Sequence, residues 1–467
     1  MRGVLDVLLG AGYQAFIVGG ACRDLLDGLK PHDWDVATDA TPPQVEACFA
    51  ERFRLLKQGE KHGTIGMLSH DAQPWCVEVT TFRSETTYSD GRRPDSVQFV
   101  RTIEEDLSRR DFTVNALALR WPDMVVIDPF GGLGDLRRRL VRCVGDPQAR
   151  FGEDGLRLLR AVRLRAERGW KIEKDTYNAL GLQAKLLKKV SRERVRDEFA
   201  RVMTAKFAAA ALRDLVKTGL LVRFIPEFQE SINFDQRTRH HRQKLDEHVI
   251  ETVSWVPERL ELKLAALLHD IAKPRTFTLD EDGQGHFYGH NKLGAAASAE
   301  ILRRLRFSRE VINRVALLVK EHMFIYGPQV TDAGLRRLVG RVGRENIADL
   351  FELRRADIVA SGGMPDPWLD KTWDRVAEVI EGRQPTSETD LAIDGNDIMQ
   401  ATGWEPGPRV GRALEMLLER VLQQPELNER RRLLAELEAI KGQVESTTHE
   451  VIKGQPESTT RSSDREG

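Results

Sequence analysis

Residues 19–38 read GGACRDLLDGLKPHDWDVAT, and the preceding AFIV (15–18) is a short apolar run of β-forming type. The order is strand, glycine turn, helix start. Such a turn presents the unpaired backbone N–H groups of the helix N-terminus to an anion, and Arg23, one turn into the helix, adds charge. Beyond the helix, Asp33 and Asp35 flank Trp34. In an extended segment, residues i and i+2 project from one face. Two carboxylates that close repel each other unless a divalent cation lies between them. Mg2+ favours hard oxygen ligands and leaves positions for phosphate oxygens. A D-x-D taken alone reads as a solvated acidic turn. Placed behind a phosphate-type turn, it points to nucleotidyl transfer, in which a triphosphate and metal ions are held for attack by a hydroxyl.

A third carboxylate stands in WCVEVTTF (75–82), where Val77 and Val79 face a core and Glu78 points the other way. With MVVIDPF (124–130) and the helical stretches between, these runs make residues 1–145 an α/β or α+β domain. From about 146 the strand signals stop. EDGLRLLRAVRLRAERGW (153–170), KLAALLHDIAK (263–273) and ASAEILRRLRF (297–307) all carry helical periodicity, so the rest is expected to be an elongated all-α neck and body. At the end, IKGQVESTTHEV (440–451) is followed in register by IKGQPESTTRSS (452–463), so polar that 441–467 is expected to be a disordered repeat tail.

The 467 residues imply several domains at about 100–200 residues each. A net charge of −1 says nothing about a nucleic-acid partner, so local charge must carry that argument. Residues 137–170 hold ten arginines against four acids, a surface suited to phosphates. Cys22, Cys48, Cys76 and Cys143 form no C-x-x-C pair, which fits a reducing, cytoplasmic setting. Asp6 interrupts VLDVLLG (4–10), and no run approaches ~18 uncharged apolar residues, so neither a leader nor a membrane span is read. Nothing in the sequence sets an oligomeric state.

The ordered stretches GGACRDLLDG…HDWDVAT with ATPPQV, GEKHGTIGM, VEVTTFRSETTYSDGRRPDSVQFV, DLSRRDFTVNALAL, IDPFGGLGDL and RCVGDPQARFGEDGLRLLRAVR resemble the class II bacterial tRNA nucleotidyltransferases. These are the CCA-adding enzymes of the DNA polymerase beta superfamily. Bacterial poly(A) polymerases share the first and fourth motifs, whereas KHGT and the YSDGRRP loop look more like the CCA-adding branch. The resemblance implies a polymerase-beta-like head that uses CTP, ATP and Mg2+ on the 3′ end of tRNA. It implies that Gly20 and Arg23 contact the triphosphate, that Asp33 and Asp35 hold the catalytic Mg2+, and that Glu78 is the third carboxylate. Arg110 would touch phosphate, and Asp111 with Asn115 would recognise the ribose.

Base choice without a template is a question of hydrogen-bond inventories. Arginine offers only donors and aspartate only acceptors. Cytosine and adenine each present a ring-nitrogen acceptor beside an exocyclic amino donor, which an Asp–Arg pair satisfies. Uracil and guanine present a ring N–H instead, and the mismatch costs ~1–3 kcal/mol per unsatisfied group. On a helix, Asp154 and Arg157 are neighbours three residues apart, and as such would otherwise be a surface ion pair. The resemblance assigns them the templating role, with Arg160 and Arg163 supporting the phosphates or the helix.

In the helical half, His248, His269–Asp270 and Asp357 resemble the HD superfamily of metal-dependent phosphohydrolases, with His290 and His322 as further matches and Lys273 placed to hold a phosphate. Imidazole and carboxylate together suit a second divalent metal. A lone helical histidine is otherwise a satisfied polar residue. The expected organisation is a head at 1–145, a helical neck and body for nucleotide selection and RNA binding at 146–235, an HD-type domain at 236–365, a helical tail at 366–440, and the repeat. The rivals are an enzyme that adds only the terminal A, and a metal phosphohydrolase with an RNA-binding head. The length of RSETTYSDGRRPDSV (83–97) argues against addition of CC alone.

Overall fold

The strand-forming runs of the first 130 residues assemble into one mixed sheet in a computed structural model, which describes residues 1–31, 33–68, 76–85, 97–238 and 243–453. In chain order the strands are β1 (Ala15–Val18), β2 (Trp34–Thr38), β3 (Arg54–Leu56), β4 (Thr64–Leu68), β5 (Cys76–Thr81), β6 (Arg83–Glu85), β7 (Val97–Phe99), β8 (Ala118–Arg120) and β9 (Val126–Ile127). Seven of them form the sheet in the order β3-β4-β5-β2-β1-β8-β9, while β6 and β7 pair separately. The one parallel neighbour pair, β2 with β5, sets Asp35 opposite Glu78. The tip of the 83–97 stretch, residues 86–96, lies outside the described residues.

Period-two alternation distributes β1 between two cores. Ile17 joins Val4, Leu5 and Leu8 of helix α1 (Arg2–Gly10) with Val36 and Val79 on one face. Phe16 and Val18 join Phe82, Ile103 and Leu107 on the other. The sheet is thus covered on both sides, and the chain leaves β1 directly into α2 (Gly19–Leu26) through Gly19 at φ 65°. This is the expected strand, glycine turn and helix. Further helices of the head and neck are α3 (Pro42–Phe49), α4 (Ile103–Ser108), α5 (Gly132–Arg138), α6 (Pro147–Glu153), α7 (Arg157–Arg168), α8 (Lys174–Gln183) and α9 (Arg192–Met203).

Asp154 and Arg157 do not share a helix, which corrects the expectation of a neighbouring pair on one helical face. α6 ends at Glu153, Asp154 is extended (φ −142°, ψ 108°), and α7 starts at Arg157. Gly155 lies in the break, where a Cβ would stand 3.0 Å from the Leu186 carbonyl oxygen, a contact tighter than side chains ordinarily make. The body is helical as expected, with two small exceptions: the parallel pair Leu140–Val141 with Lys171–Ile172, and a hairpin of Phe277–Leu279 with Gly285–Phe287.

The chain divides into two units. One is Met1–Lys320 with Ala360–Gly362; the other is Glu321–Val359 with Gly363–Gly467. The boundary therefore falls inside the segment 236–365 that the sequence suggests as one domain. Its physical basis is a separate core in the second unit, where Ile393, Ile398, Val410, Leu417, Val421, Leu433 and Leu437 pack together. The last helix, Arg430–Lys453, carries the first copy of the repeat, and Ile440 and Val444 are buried in that core. The expected disordered tail is corrected for this stretch, because an apolar residue recurs at helical spacing within it. Residues 454–467, most of the second copy, lie outside the described residues.

Candidate active site

A cleft of about 520 Å3 opens where β1 passes into α2. No side chain caps α2, so its first N–H groups face the cleft at Gly19 and Gly20. A Cβ on Gly19 would lie 3.0 Å from Arg110 Nη1 and 3.1 Å from Asp35 Oδ2. The bare backbone of the turn is thus in contact with both the cation and the carboxylate. Asp35 and Glu78 line the cleft from adjacent strands. Burial raises the Asp35 carboxyl above its ordinary value against the pull of Arg110, and Asp33 pushes it the same way as burial. Burial, then Asp35 and Asp33, raise Glu78. Asp33 sits exposed just ahead of β2.

A chain of hydrogen bonds links the phosphate side to the neck. Arg23 lies buried beneath the turn; its Nη1 donates to Asn115 Oδ1 (2.6 Å), and the Asn115 amide donates to Asp111 Oδ1 (3.0 Å). Asp111 Oδ2 pairs with Arg160 of α7 at 2.7 Å. Burial works to raise the Asp111 carboxyl, but Arg160, the Asn115 amide and Arg157 outweigh it and hold it at about 2. Asp24, next to Arg23, accepts from Arg23 Nε (2.9 Å) and from Arg168 at the far end of α7 (2.5 Å).

Asp154, Arg157 and Arg160 line the same cleft. Asp154 Oδ1 caps the backbone N–H of Leu156 (2.9 Å), and its Oδ2 is held by Arg194 of α9 at 2.7 Å. Arg157 is held by the Glu153 carboxylate and donates to the carbonyls of Arg150 (3.2 Å) and Arg109 (3.1 Å). The two residues expected to read the base are therefore set by different partners. Arg163 does not line the cleft; it pairs with Glu198 of α9 at 2.8 Å. Sequence reasoning missed Arg194 and also Asp106, whose buried carboxylate takes Arg109 (2.8 Å) and Arg110 (3.1 Å) and so aims Arg110 at the turn. It also missed His62, Thr64, Thr80, Arg83 and Arg109, which complete the lining. The i, i+3, i+4 spacing of Asp106 to the two arginines was the available signal.

A second cluster lies in the first unit. His248, on the helix Leu245–Trp255, and His269 and Asp270, at the end of the helix Leu260–Leu268, are fully or almost fully buried. Three imidazole Nε2 atoms converge on the Asp270 carboxylate: His269 at 3.2 Å, His290 at 3.4 Å and His248 at 3.5 Å. Lys273 is 2.7 Å from the same group and donates to Gln236 Oε1 (2.9 Å). The Nδ1 atoms of His269 and His290 sit 2.8 and 2.7 Å from the carbonyls of Ala266 and Phe287. A carbonyl only accepts, so each Nδ1 carries the proton, and in the neutral ring Nε2 presents a lone pair. Asp357 and His322 belong to the second unit, where Asp357 pairs with Arg354 at 2.8 Å.

Residues 15–142 match the Poly A polymerase head domain, 169–232 the RNA and SrmB-binding site of polymerase A, and 287–437 domain 2 of the tRNA nucleotidyltransferases. Fold and cleft thus define a nucleotidyltransferase with a polymerase-beta-like head. A CCA-adding enzyme of Latilactobacillus sakei subsp. sakei (strain 23K) is 33% identical over 420 residues, covering 90% of this chain and 92% of that protein. That of Geobacillus stearothermophilus is 33% identical over 433 residues, covering 93% and 95%. The crystal structure of the Bacillus stearothermophilus CCA-adding enzyme in complex with CTP superposes with a TM-score of 0.70 at 30% identity, over 95% of this chain and 98% of that one. The chain belongs to the CCA-adding enzyme family.

Proposed function

We propose that this chain adds C, C and A to the 3′ end of tRNA from CTP and ATP without a nucleic-acid template, releasing pyrophosphate. The observation that carries the reading is a single cleft lined by the glycine turn, by the Asp35 and Glu78 carboxylates, and by Asp154 with Arg157. Gly20, Arg23 and Arg110 hold the triphosphate. Asp111, kept ionised by Arg160, accepts from the ribose hydroxyls with Asn115 beside it. Asp154 accepts from the exocyclic amine of cytosine or adenine, and Arg157 donates to the ring nitrogen. Asp33, Asp35 and Glu78 would hold Mg2+: their oxygens are hard donors, and Asp35 and Glu78 repel each other across adjacent strands. The ion, when bound, offsets charge on the phosphates. The tRNA 3′-hydroxyl oxygen forms its bond to the α-phosphorus as the bond to pyrophosphate breaks. A cytoplasmic setting agrees with this substrate and with the absence, among the described residues, of a helix long and apolar enough to cross a membrane.

The test is extension of a tRNA ending at its discriminator base, with CTP and ATP supplied separately and together. CTP alone should add two residues, and both together three. No addition of CTP, with ATP added to a tRNA ending in CC, would replace this reading with addition of the terminal A alone.

The second cluster supports a further reading, a divalent-metal site of phosphohydrolase type formed within the first unit by His248, His269, Asp270 and His290. Three imidazole nitrogens and a carboxylate that meet within 3.5 Å form a mixed nitrogen and oxygen donor set that suits a divalent cation. Mn2+ bound per chain, compared with the His269→Ala, Asp270→Ala variant, tests it.

A further inference from the structure

Four residues that line the transfer cleft, His62, Thr64, Thr80 and Arg83, have no part in the reading above. Their place in the sheet limits what they can meet. Along the strand order β4-β5-β2-β1, the cleft is lined by Thr64 on β4, Glu78 and Thr80 on β5, Asp35 on β2, and the glycine turn at the end of β1. Asp35 is paired with Glu78, and Thr80 with Thr64. Residues paired across strands share a face, and so do residues two apart on one strand. All four side chains therefore stand on one face of the sheet. β4 adds no side chain next to Glu78, because Gly66 is its partner there. The Thr64 and Thr80 hydroxyls lie 3.0 Å apart, both half-buried. One proton joins them, and among the described residues neither hydroxyl makes another hydrogen bond. The pair thus keeps one O–H to donate and lone pairs to accept.

We propose that the Thr64–Thr80 hydroxyl pair binds the 2′-hydroxyl of the terminal tRNA nucleotide, the one whose 3′-oxygen attacks. The inference rests on the transfer reading above. In an in-line displacement the attacking and leaving oxygens lie on opposite sides of the phosphorus. With the triphosphate at the turn beside β1, pyrophosphate leaves on that side, and the attacking ribose comes from the side of β5 and β4. Its 2′- and 3′-hydroxyls are on adjacent carbons. When the 3′-oxygen is at the carboxylates, the 2′-oxygen falls beside Glu78. The neighbours of Glu78 on that face of β5 are Cys76 and Thr80, and of these only Thr80 lines the cleft. A ribose 2′-hydroxyl both donates and accepts, which the pair can answer. Such a contact suits an RNA end whose base changes as it grows, because it reads the sugar and ignores the base. Arg83, just past the end of β5, donates from its guanidinium to the His62 carbonyl and brings a cation for the phosphodiester behind that sugar.

The test extends a tRNA ending in CC with ATP, using the full chain. The last nucleotide of the tRNA carries either its natural 2′-hydroxyl or a 2′-fluorine. Fluorine keeps the electron withdrawal at the neighbouring 3′-oxygen but cannot donate a proton. The wild type should favour the hydroxyl about tenfold in kcat/KM for the tRNA, the effect of one hydrogen bond. Thr80→Val and Thr64→Val keep the β-branched shape that a strand favours. Each should lose the preference by slowing on the hydroxyl form alone, with KM for ATP unchanged, and Thr80→Ser should keep it. Equal use of the two tRNAs by the wild type overturns the contact and leaves the transfer reading intact. So does a preference that survives both valine variants: equal losses on both tRNAs, or a lower melting temperature, would then make the pair a link between strands only. A rise in KM for ATP in its place would move the pair to the incoming nucleotide and also overturn the contact. No addition to either tRNA by the wild type overturns the transfer reading itself, and this inference with it.

Discussion

Asp154 and Arg157 are three residues apart in sequence and yet are steered by separate groups, Arg194 on one side and Glu153 with two carbonyls on the other. On the proposed reading, base selectivity depends on Arg194, which need not touch the base. With Arg194→Ala, Asp154 keeps its carboxylate and the Leu156 N–H on Oδ1 but loses the partner that fixes Oδ2. Incorporation of UTP and GTP relative to CTP and ATP should rise by about 5- to 150-fold, the equivalent of ~1–3 kcal/mol per mismatched group. Arg194→Lys should restore part of the discrimination, since an ammonium replaces the guanidinium as a point charge. Competitive extension with all four triphosphates measures this; equal slowing of the four would make Arg194 a structural residue only. Asp35→Ala should act differently. It should reduce addition of every nucleotide by about 10^2–10^3-fold or more while tRNA binding, followed by gel shift, stays close to wild type.

Elements differed in how far their sequence revealed them. The strand, glycine turn and helix at 15–26 were legible because apolar β-forming residues end at two glycines, and the reading of Asp33 and Asp35 came from their spacing together with that turn. That Glu78 stands beside Asp35 was not legible in the same way, because pairing between β2 and β5 is a contact between distant segments that no local pattern sets. The same holds for Arg194, which reaches Asp154 from another helix. The break at Gly155 was hidden by an otherwise unbroken helical pattern. In the last helix the composition misled: Leu433, Leu437, Ile440 and Val444 recur at helical spacing, but the repeat around them is so polar that its one buried valine was overlooked. Truncation after Ile440 should therefore destabilise the second unit. Loss of a buried valine removes about 1.5–3 kcal/mol, which corresponds to a drop of roughly 3–10 °C in its calorimetric transition. An unchanged transition would mean that Val444 contributes nothing to that core.

At the scale of the whole molecule, the transfer cleft and the histidine cluster share no residue. The His269→Ala, Asp270→Ala variant should accordingly extend tRNA within about twofold of wild type, as expected for independent sites, while losing a bound divalent ion. A parallel loss of extension would show that the two sites are coupled. The head and the neck are joined more firmly. Asp24 holds Arg168 and Asp111 holds Arg160, so α7 is fastened to the head at two places about two turns apart. A rod pinned once can swivel; pinned twice it cannot. The gap between the phosphate turn and the base-reading wall is thus a fixed gauge, like the jaws of a calliper locked with two screws. A pyrimidine and a purine of different breadth must then be measured between the same jaws, and on the proposed reading the difference between them has to be taken up by Asp154 and Arg157 rather than by any sliding of the frame.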